Sequence, residues 1–259
     1  MNSEWQVPAF GLIRYRPQTF RYAICIFVIN EGEKIRKQLR AMVHYTSMID
    51  VVVCDGGSTD GSLDDHILLE TLVTAKLTKT GTGRLSAQMR MGLAWCMDQG
   101  YEGCLVIDGN CKDGLEAIPE FIRLLDQGFD HIQGSRFIPG GTHANTPFLR
   151  LIGVRFLHAP LISLASGCRY TDTTNGFRGY SRKLLLDNNV LPFRNCFSGY
   201  ELHYYLAIRA ARLGFMITET PVSRSYPSGG PAPTKIRGLK GNFTVLMTLA
   251  KAVLHQYNP

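Results

Sequence analysis

The stretch 103–113 places a cluster of polar side chains directly after a short apolar run. Residues 104–107 are apolar, and the six residues that follow, DGNCKD, carry two carboxylates, an amide and an ammonium group. A short apolar run bounded by glycine is typical of a strand buried in a parallel sheet, and open α/β sheets bind ligands beyond the carboxyl ends of their strands. Hard oxygen donors at such an edge suit Mg²⁺ or Mn²⁺ together with a diphosphate. The other interpretation is a polar strand-to-helix turn in which Asp113 caps a helix over 114–127.

The order of apolar run, polar turn and helical spacing recurs along the first half of the chain. Predicted strands cover 22–30, 49–54, 73–77, 104–107 and 130–134, and predicted helices cover 34–43, 63–72, 84–99 and 114–127. Strands that alternate with helices at this spacing predict βαβ units and a mostly parallel sheet. Residues 1–20 lack the pattern, and we expect an irregular extension there.

The second half of the chain has a different pattern. Residues 148–166 are apolar on nearly all sides, which predicts a helix that is buried or lies against a partner or a bilayer. Its length and its charges argue against a transmembrane span, and no uninterrupted apolar run reaches about 18 residues. Residues 171–180 are polar and turn-rich, 197–214 predict a helix and 215–222 a strand. The final helix is expected to be amphipathic, with an apolar face formed by Ile236, Leu239, Phe243, Leu246, Leu249 and Val253.

Charge and cysteine usage restrict the partners and the compartment. The 259 residues carry a formal charge of +7 with a pI near 9.1, which favours an anionic partner such as nucleotide phosphates or an anionic membrane surface. The basic residues are scattered and show no helix-turn-helix or zinc-finger spacing, so nucleic acid is not expected. Seven cysteines without a CxxC pair favour a reducing, cytoplasmic location, and the N-terminus does not have the pattern of a signal peptide.

Polar and glycine-rich turns follow the other predicted strands as well. They are Asn30 and Glu31 after the first strand, Asp55 with Gly56 and Gly57 after the second, and Gly83 with Arg84 at the start of the third helix. Carboxylates at such positions can accept hydrogen bonds from a nucleobase or a ribose, and glycines allow the backbone to approach a flat base. A glycine-rich turn with an arginine at a helix N-terminus suits a diphosphate. Because the turns occur in order on successive βα units, we expect them to converge on one edge of the sheet.

The ordered motifs resemble the family 2 glycosyltransferases, which are inverting nucleotide-sugar enzymes with the GT-A fold. Within that family the chain is most similar to the dolichyl-phosphate mannosyltransferase and polyprenyl-phosphate glycosyltransferase group. The resemblance covers about 23–251, and its most specific elements are NGFRGY and E-x-PV-x-R-x-Y. The matching segments are 28–35, 51–62, 81–93, 105–122, 134–137, 171–185 and 199–227.

The resemblance implies an α/β fold with a Rossmann-like central sheet, a nucleotide-sugar-binding half over 21–137 and an acceptor-side half over 138–259. It implies transfer of a sugar from a UDP- or GDP-linked donor to a polyprenyl phosphate or to a hydroxyl of a glycan or lipid. Mg²⁺ or Mn²⁺ is the implied cofactor, and the implied location is cytoplasmic, at a membrane surface. Peripheral membrane contact and self-association are both left open.

The resemblance also assigns roles to individual residues. The nucleoside contacts are Glu31 and Asp55, and the diphosphate contacts are Arg84 and Asp108. The basic residues that would face donor or acceptor phosphates are Arg178, Arg224 and Lys235. If the acceptor is a hydroxyl, Asp172 or Glu201 is the candidate general base; an acceptor phosphate is already anionic and needs no strong base. The candidate metal ligands are Asp108, Asn110 and Asp113.

One departure from the family pattern concerns the metal, because Asn110 replaces the second Asp of the usual Asp-x-Asp. Either Asp113 compensates, or metal binding is weaker, or the diphosphate holds most of the metal. A second enzyme interpretation, a sugar-1-phosphate nucleotidyltransferase, calls for a glycine-rich basic loop after the first strand, where this chain has Asn30 and Glu31. A third, a non-catalytic nucleotide-sugar-binding protein, is favoured only by Asn110.

Overall fold

The computed structural model describes residues 2–227 and 238–259. The strands are β1 (Phe10–Arg14), β2 (Tyr22–Val28), β3 (Asp50–Asp55), β4 (Ala75–Lys79), β5 (Gly103–Asp108), β6 (His131–Ser135), β7 (Thr142–Ala144), β8 (Arg178–Ser181), β9 (Ile217–Pro221) and β10 (Ser223–Ser225). The helices are α1 (Glu33–Met42), α2 (Asp65–Glu70), α3 (Leu85–Asp98), α4 (Ile118–Asp126), α5 (Phe148–Gly153), α6 (Ala159–Ser166), α7 (Arg182–Leu185), α8 (Glu201–Arg212) and α9 (Gly238–Val253).

Eight of these strands form one central sheet in the order β1-β4-β3-β2-β5-β8-β6-β9. The pairs β2–β3, β2–β5, β3–β4 and β6–β9 are parallel, which confirms the mostly parallel sheet. β8 runs antiparallel to both β5 and β6, so the strands of the two predicted halves belong to the same sheet. β7 and β10 form a separate two-stranded parallel sheet.

Helices cover both faces of the central sheet. Every residue of β2 and β3 is buried, as the continuous apolar runs predict for strands covered on both sides. One core lies beneath α3 and α8, and the other lies beneath α1 and α4. The sulfurs of Cys25, Cys96 and Cys104 lie within 4.8 Å of one another in the first core, and all three residues are inaccessible to solvent.

Several predicted elements differ from the structure. The irregular extension is wrong for Phe10–Arg14, which pairs antiparallel with β4 at the edge of the sheet. The polar stretch 171–180 includes the start of β8, because its glycines and Arg178 fit between two strands. The helix predicted from 197 begins only at Glu201, since 198–200 form the turn that contacts the start of α3.

The segment Phe148–Ser166 is helical throughout, with a π-helical stretch at Val154–His158 just before Pro160. Within the described part of the chain it is the one helix with the length and apolar composition of a membrane span, and 22% of its 18-residue apolar window is buried. α6 and α9 pack on α8 through a small apolar core. Residues of the apolar face predicted for α9 differ in exposure: Leu249 is buried, whereas Phe243 and Leu246 are exposed. Of that face, Ile236 lies outside the described residues.

Candidate active site

The register of the central strands brings the polar turns to one edge of the sheet. Val28 at the end of β2 pairs with Asp55, and Phe27 pairs with Asp108. The two carboxylates therefore follow strands on either side of β2 at nearly the same level. The convergence expected from the ordered motifs is present in the backbone.

The turn after β3 is held by its own side chains. Asp55 is 4% exposed, and its Oδ1 accepts hydrogen bonds from the backbone N–H groups of Gly57 (3.1 Å) and Ser58 (2.8 Å) and from the Ser58 hydroxyl. Gly57 has φ +95°, a conformation that favours glycine. These bonds preset the turn, with Asp55 at its base.

The turn after β2 is tied to the turn after β3. Asn30 adopts φ +48°, donates its backbone N–H to the Ser58 hydroxyl, and accepts from the Thr59 N–H at Oδ1. Glu31 is mostly covered and lies 3.2 Å from Lys34. Asn30, Glu31 and Asp55 thus lie at the same edge of the sheet, as predicted. Asn30 contributes hydrogen bonds to the turn after β3.

The glycine-rich turn before α3 packs against the turn before α8. Gly83 has φ +104°, and a Cβ there would lie 2.5 Å from the Cβ of Ala87, so the position requires glycine. The backbone N–H of Arg84 donates to the Ser198 carbonyl at 2.6 Å, and that of Ser86 donates to the Gly199 carbonyl at 2.8 Å. The Arg84 side chain is exposed.

A cavity of about 390 Å³ opens between these two turns. Glu201 lines it beside Arg84, and one Glu201 carboxylate oxygen accepts the Gly199 N–H at 2.7 Å. The other residues that line the cavity are Gly83, Ser198, Gly199, Tyr200, Thr244 and Thr248. The structure therefore brings Glu201 to the predicted diphosphate turn.

Arg224 links the two aspartates of the DGNCKD turn. Its Nη1 contacts both carboxylate oxygens of Asp113, at 2.7 Å from Oδ1, and its Nη2 lies 3.1 Å from Oδ2 of Asp108. The Asp113 carboxylate is fully buried, whereas Asp108 keeps 28% of its side chain exposed. Burial lowers the pKa of Arg224, but the charges of Asp113 and Asp108 outweigh it and hold the pKa above its ordinary value. Arg224 is therefore a permanent cation at this edge.

Two oxygen donors of the same turn suit a divalent cation. Oδ1 of Asn110 is buried and has no hydrogen-bond partner among the described residues, and its Nδ2 lies 3.4 Å from Oδ2 of Asp108. A buried polar atom without a partner is costly unless a ligand or water satisfies it. Asp108 and Asn110 fit Mg²⁺ or Mn²⁺, which prefer oxygen ligands. Asp113 is the third metal ligand predicted from the sequence. In the structure both of its carboxylate oxygens contact Arg224.

A cluster of basic side chains surrounds the ring of Tyr226, next to Arg224. The Arg224 guanidinium lies 5.7 Å and the Lys112 ammonium 5.1 Å from the ring centre, and Arg150 donates to the Tyr226 hydroxyl at 2.9 Å. Burial raises the pKa of Tyr226, but the charges of Arg224 and Arg150 outweigh it and lower the pKa overall. Lys112, Arg150, Arg224 and Tyr226 are called the basic cluster below.

Asp172 and Arg178 occupy buried positions with all their partners inside the protein. Asp172 is inaccessible to solvent and forms a two-point ion pair with Arg136, at 2.6 and 3.0 Å. Burial raises its pKa, but the hydrogen bonds and charge of Arg136 outweigh this and hold the pKa below the ordinary range. Arg178 donates to the backbone carbonyls of Thr173, Asn175 and His203. These contacts order the loop before β8.

The predicted phosphate contact Lys235 lies outside the described residues. His203, two residues after Glu201, is half-buried, and its partial removal from water together with the nearby Arg178 holds its pKa well below the ordinary value. His203 is therefore neutral near pH 7, and its Nδ1 lies 3.4 Å from the Tyr180 hydroxyl.

Several residues at the site were not singled out from the sequence. Arg136, Arg150 and Tyr226 take part in ion pairs or ring contacts between distant segments, and Gln38 bonds with the DGNCKD turn. A usable signal existed for three of them. Tyr226 is the last residue of the E-x-PV-x-R-x-Y element. Arg150 is a charge inside an apolar run, and Gln38 is a polar residue at a position where α1 otherwise buries Ile35 and Leu39.

Comparisons with known proteins give the chain a context. No family model matches it. It is 27% identical over 210 residues to the polyprenol monophosphomannose synthase of Mycolicibacterium smegmatis, covering 79% of this chain and 77% of the relative. It is 29% identical over 199 residues to the undecaprenyl-phosphate mannosyltransferase of Micrococcus luteus, covering 75% and 79%.

The fold also matches solved structures. The glucosyl-3-phosphoglycerate synthase of Mycobacterium tuberculosis, in complex with Mn²⁺, UDP-glucose and phosphoglyceric acid, superposes with a TM-score of 0.63 at 16% identity, covering 90% of this chain and 79% of that one. This likeness shows the fold, while the curated relatives are named as glycosyltransferases. Together they confirm the resemblance: the chain has the GT-A fold and is similar to the polyprenyl-phosphate glycosyltransferases.

Proposed function

We propose that this protein transfers a sugar, with inversion, from a nucleoside-diphosphate sugar to a lipid phosphate at a membrane surface. One observation carries the proposal: the basic cluster joins Asp108 to a helical segment whose outer surface is apolar. Arg224 contacts Asp108 and Tyr226, and Arg150, on α5, donates to the Tyr226 hydroxyl. The cations thus connect the donor end of the site to the start of the Phe148–Ser166 segment.

Exposed large apolar side chains form the proposed membrane-docking face. Its exposed members are Phe148 (72%), Leu149 (82%), Phe156 (76%) and Leu164 (75%) on one segment, and Phe243 (64%) and Leu246 (42%) on α9. Burial of one such side chain contributes about 1.5–3 kcal/mol, and a helix of this kind lies in the interface between headgroups and acyl chains. Arg150 and Arg155 on the same segment suit anionic headgroups.

The acceptor chemistry follows from the charges. A lipid phosphate is anionic at neutral pH, so it can attack without a general base, and a basic cluster suits its binding. Asp172 is committed to Arg136, which favours a positioning role for it in the loop before β8. Glu201, beside Arg84 in the cavity, remains the candidate base if the acceptor is a hydroxyl.

In the proposed reaction an acceptor phosphate oxygen bonds with the sugar C1 while the bond from C1 to the diphosphate breaks on the opposite face. Glu31 and Asp55 would hold the nucleoside, and Arg84 and Arg224 would stabilise the negative charge that grows on the leaving diphosphate. Asp108 and Asn110 would hold Mg²⁺ or Mn²⁺, which supplies Lewis-acid stabilisation of that diphosphate when bound. Asp113 would fix the Arg224 guanidinium for this task.

The relatives support both substrate classes. Two of them are named for polyprenol or undecaprenyl phosphate mannosyl transfer, and a structural neighbour was solved with UDP-glucose and Mn²⁺.

The test is a panel of UDP- and GDP-sugars, first ranked by thermal shift with and without Mn²⁺ and then incubated with undecaprenyl phosphate in vesicles. We expect a nucleotide sugar to raise the melting temperature by mass action and to give an organic-soluble sugar phosphodiester. Glycan hydroxyl acceptors tested in parallel should give less product. Transfer to a hydroxyl acceptor alone, or release of pyrophosphate from a nucleoside triphosphate, would contradict the proposal.

The docking face has its own test. The variant Leu149→Ser with Phe156→Ser should lose vesicle binding by at least tenfold, because two large apolar side chains no longer enter the bilayer. Leu69→Ser, at an exposed leucine of α2, is the matched control and should bind vesicles like the wild type. Equal binding by all three proteins would contradict membrane docking through this face.

A further inference from the structure

We propose that Gln38 is a positioning residue that presets the turn 108–111 for the metal and diphosphate. The inference rests on the proposed function, in which Asp108 and Asn110 hold a divalent cation. Gln38 lies on α1, a different element from the turn, and would not touch the substrate.

Gln38 is a polar residue in an apolar layer. It is 2% exposed, and the other buried residues of α1 are Ile35, Leu39 and Met42. A buried amide without hydrogen bonds costs about 1–3 kcal/mol, and a leucine or methionine would fill the same space without that cost. The amide therefore has a use that packing alone does not explain.

That use is a two-point contact with the turn. Nε2 of Gln38 donates to the backbone carbonyl of Asp108 at 3.0 Å, and Oε1 accepts the backbone N–H of Cys111 at 2.7 Å. One amide thus holds the first and the last residue of the DGNC turn. Since Asp108 and Asn110 lie within the span it holds, the distance between their oxygen donors depends on this contact.

The turn needs such support because its backbone is unusual. Cys111 adopts φ +56°, which is uncommon for a residue other than glycine. Gly109 donates its N–H to the Phe27 carbonyl at 2.8 Å, and a Cβ at Gly109 would lie 2.8 Å from the Cβ of Val28. Strained backbone persists where the surrounding contacts fix it, and outer contacts that orient metal ligands change metal affinity when removed.

The test compares direct Mn²⁺ binding in the presence of UDP or GDP, read from the electron paramagnetic resonance signal of free Mn²⁺. Gln38→Met keeps the volume and removes both hydrogen bonds, and Gln38→Glu keeps only the acceptor for the Cys111 N–H. We expect Gln38→Met to weaken Mn²⁺ binding by about 10–100-fold, and Gln38→Glu by at least threefold. Gln127→Met, at the exposed end of α4, should bind Mn²⁺ like the wild type.

A thermal melt of each variant separates positioning from packing. If Gln38→Met lowers the melting temperature and leaves Mn²⁺ affinity within twofold of wild type, Gln38 is a packing residue and the inference is overturned. If Gln38→Met does not fold, the Mn²⁺ affinity of Gln38→Glu is the test, and an affinity within twofold of wild type overturns the inference. If the wild type binds no Mn²⁺ with either nucleotide, the metal site of the proposed function fails together with the inference, whereas wild-type binding with an unchanged variant overturns the inference alone.

Discussion

The donor edge and the acceptor side hold their functional side chains in different ways. At the donor edge, Asp55 bonds with N–H groups two and three residues away, and Asn30 bonds with the adjacent turn. On the acceptor side, Asp172 pairs with Arg136 across 36 residues. The nucleoside end of the donor edge is built from local turns, and the acceptor side is built around a buried ion pair between distant segments.

The two kinds of contact predict different effects of mutation on activity and on stability. A local turn can lose its carboxylate with little effect on the rest of the fold, because its other bonds are to nearby backbone. A buried ion pair that loses one partner leaves an uncompensated charge, which typically costs about 3–5 kcal/mol. We therefore expect donor-edge variants to lose activity and acceptor-side variants to lose stability as well.

The largest effect is expected for Asp108→Ala. It removes the partly exposed carboxylate of the proposed metal site and one of the two anionic partners of Arg224, so sugar transfer should fall about 10³-fold, within the range seen when charge stabilisation at a reacting group is lost. Steady-state turnover with Mn²⁺ measures the loss, and Asp98→Ala, at the C-terminal end of α3, is the control. Turnover within tenfold of wild type would remove Asp108 from the donor site.

The variant Asp172→Asn tests the acceptor side of the comparison. It leaves Arg136 buried without its anionic partner, so the free energy of unfolding should fall by about 3–5 kcal/mol. Denaturant unfolding measures the change, and Glu201→Gln, at a partly exposed position, should change stability by less than about 1 kcal/mol. If Asp172→Asn instead kept its stability and lost turnover, Asp172 would return as the candidate base.

The variant Arg150→Gln separates acceptor binding from donor binding. It removes a cation from the basic cluster and the hydrogen bond to Tyr226, and a charged hydrogen bond is worth about 1.5–3 kcal/mol. The KM for lipid phosphate should rise about tenfold or more, while the Kd for the nucleotide stays unchanged. Arg123→Gln on α4 is the control, and an equal change in both constants would contradict the assignment of the cluster to the acceptor.

The smallest effect concerns pH. Burial, with a further contribution from Arg178, lowers the pKa of His131 to about 3, below its ordinary value of 6.5. Between these values the unfolded chain binds the proton and the folded chain does not, so the free energy of unfolding decreases as the pH falls below 6.5. His131→Gln should flatten this dependence by about 1.4 kcal/mol per pH unit, as measured by unfolding between pH 4 and 6. An unchanged slope would contradict a neutral buried His131.

The two sides also differ in how far the sequence predicts them. Asp55 and Asp108 follow apolar runs, and strand polarity alone places both at one edge. Arg178 and Asp172 match the family motif, yet their burial depends on the insertion of β8 between β5 and β6, which no local pattern encodes. The ion pair of Asp113 with Arg224 and the hydrogen bond from Gln38 to the Asp108 carbonyl also join segments that are distant in sequence, so no local pattern predicts them.

The central claim is that the Asp108 end of the site and the basic cluster together join a sugar to a lipid phosphate. The most direct measurement is the structure of the product formed from an α-linked nucleotide sugar and undecaprenyl phosphate in vesicles, with the anomeric linkage read by NMR. We predict a β-linked sugar phosphodiester of the lipid, formed only with a divalent cation and strongly reduced in Arg150→Gln. An α-linked product, or a sugar attached to a hydroxyl and not to the phosphate, would contradict the account.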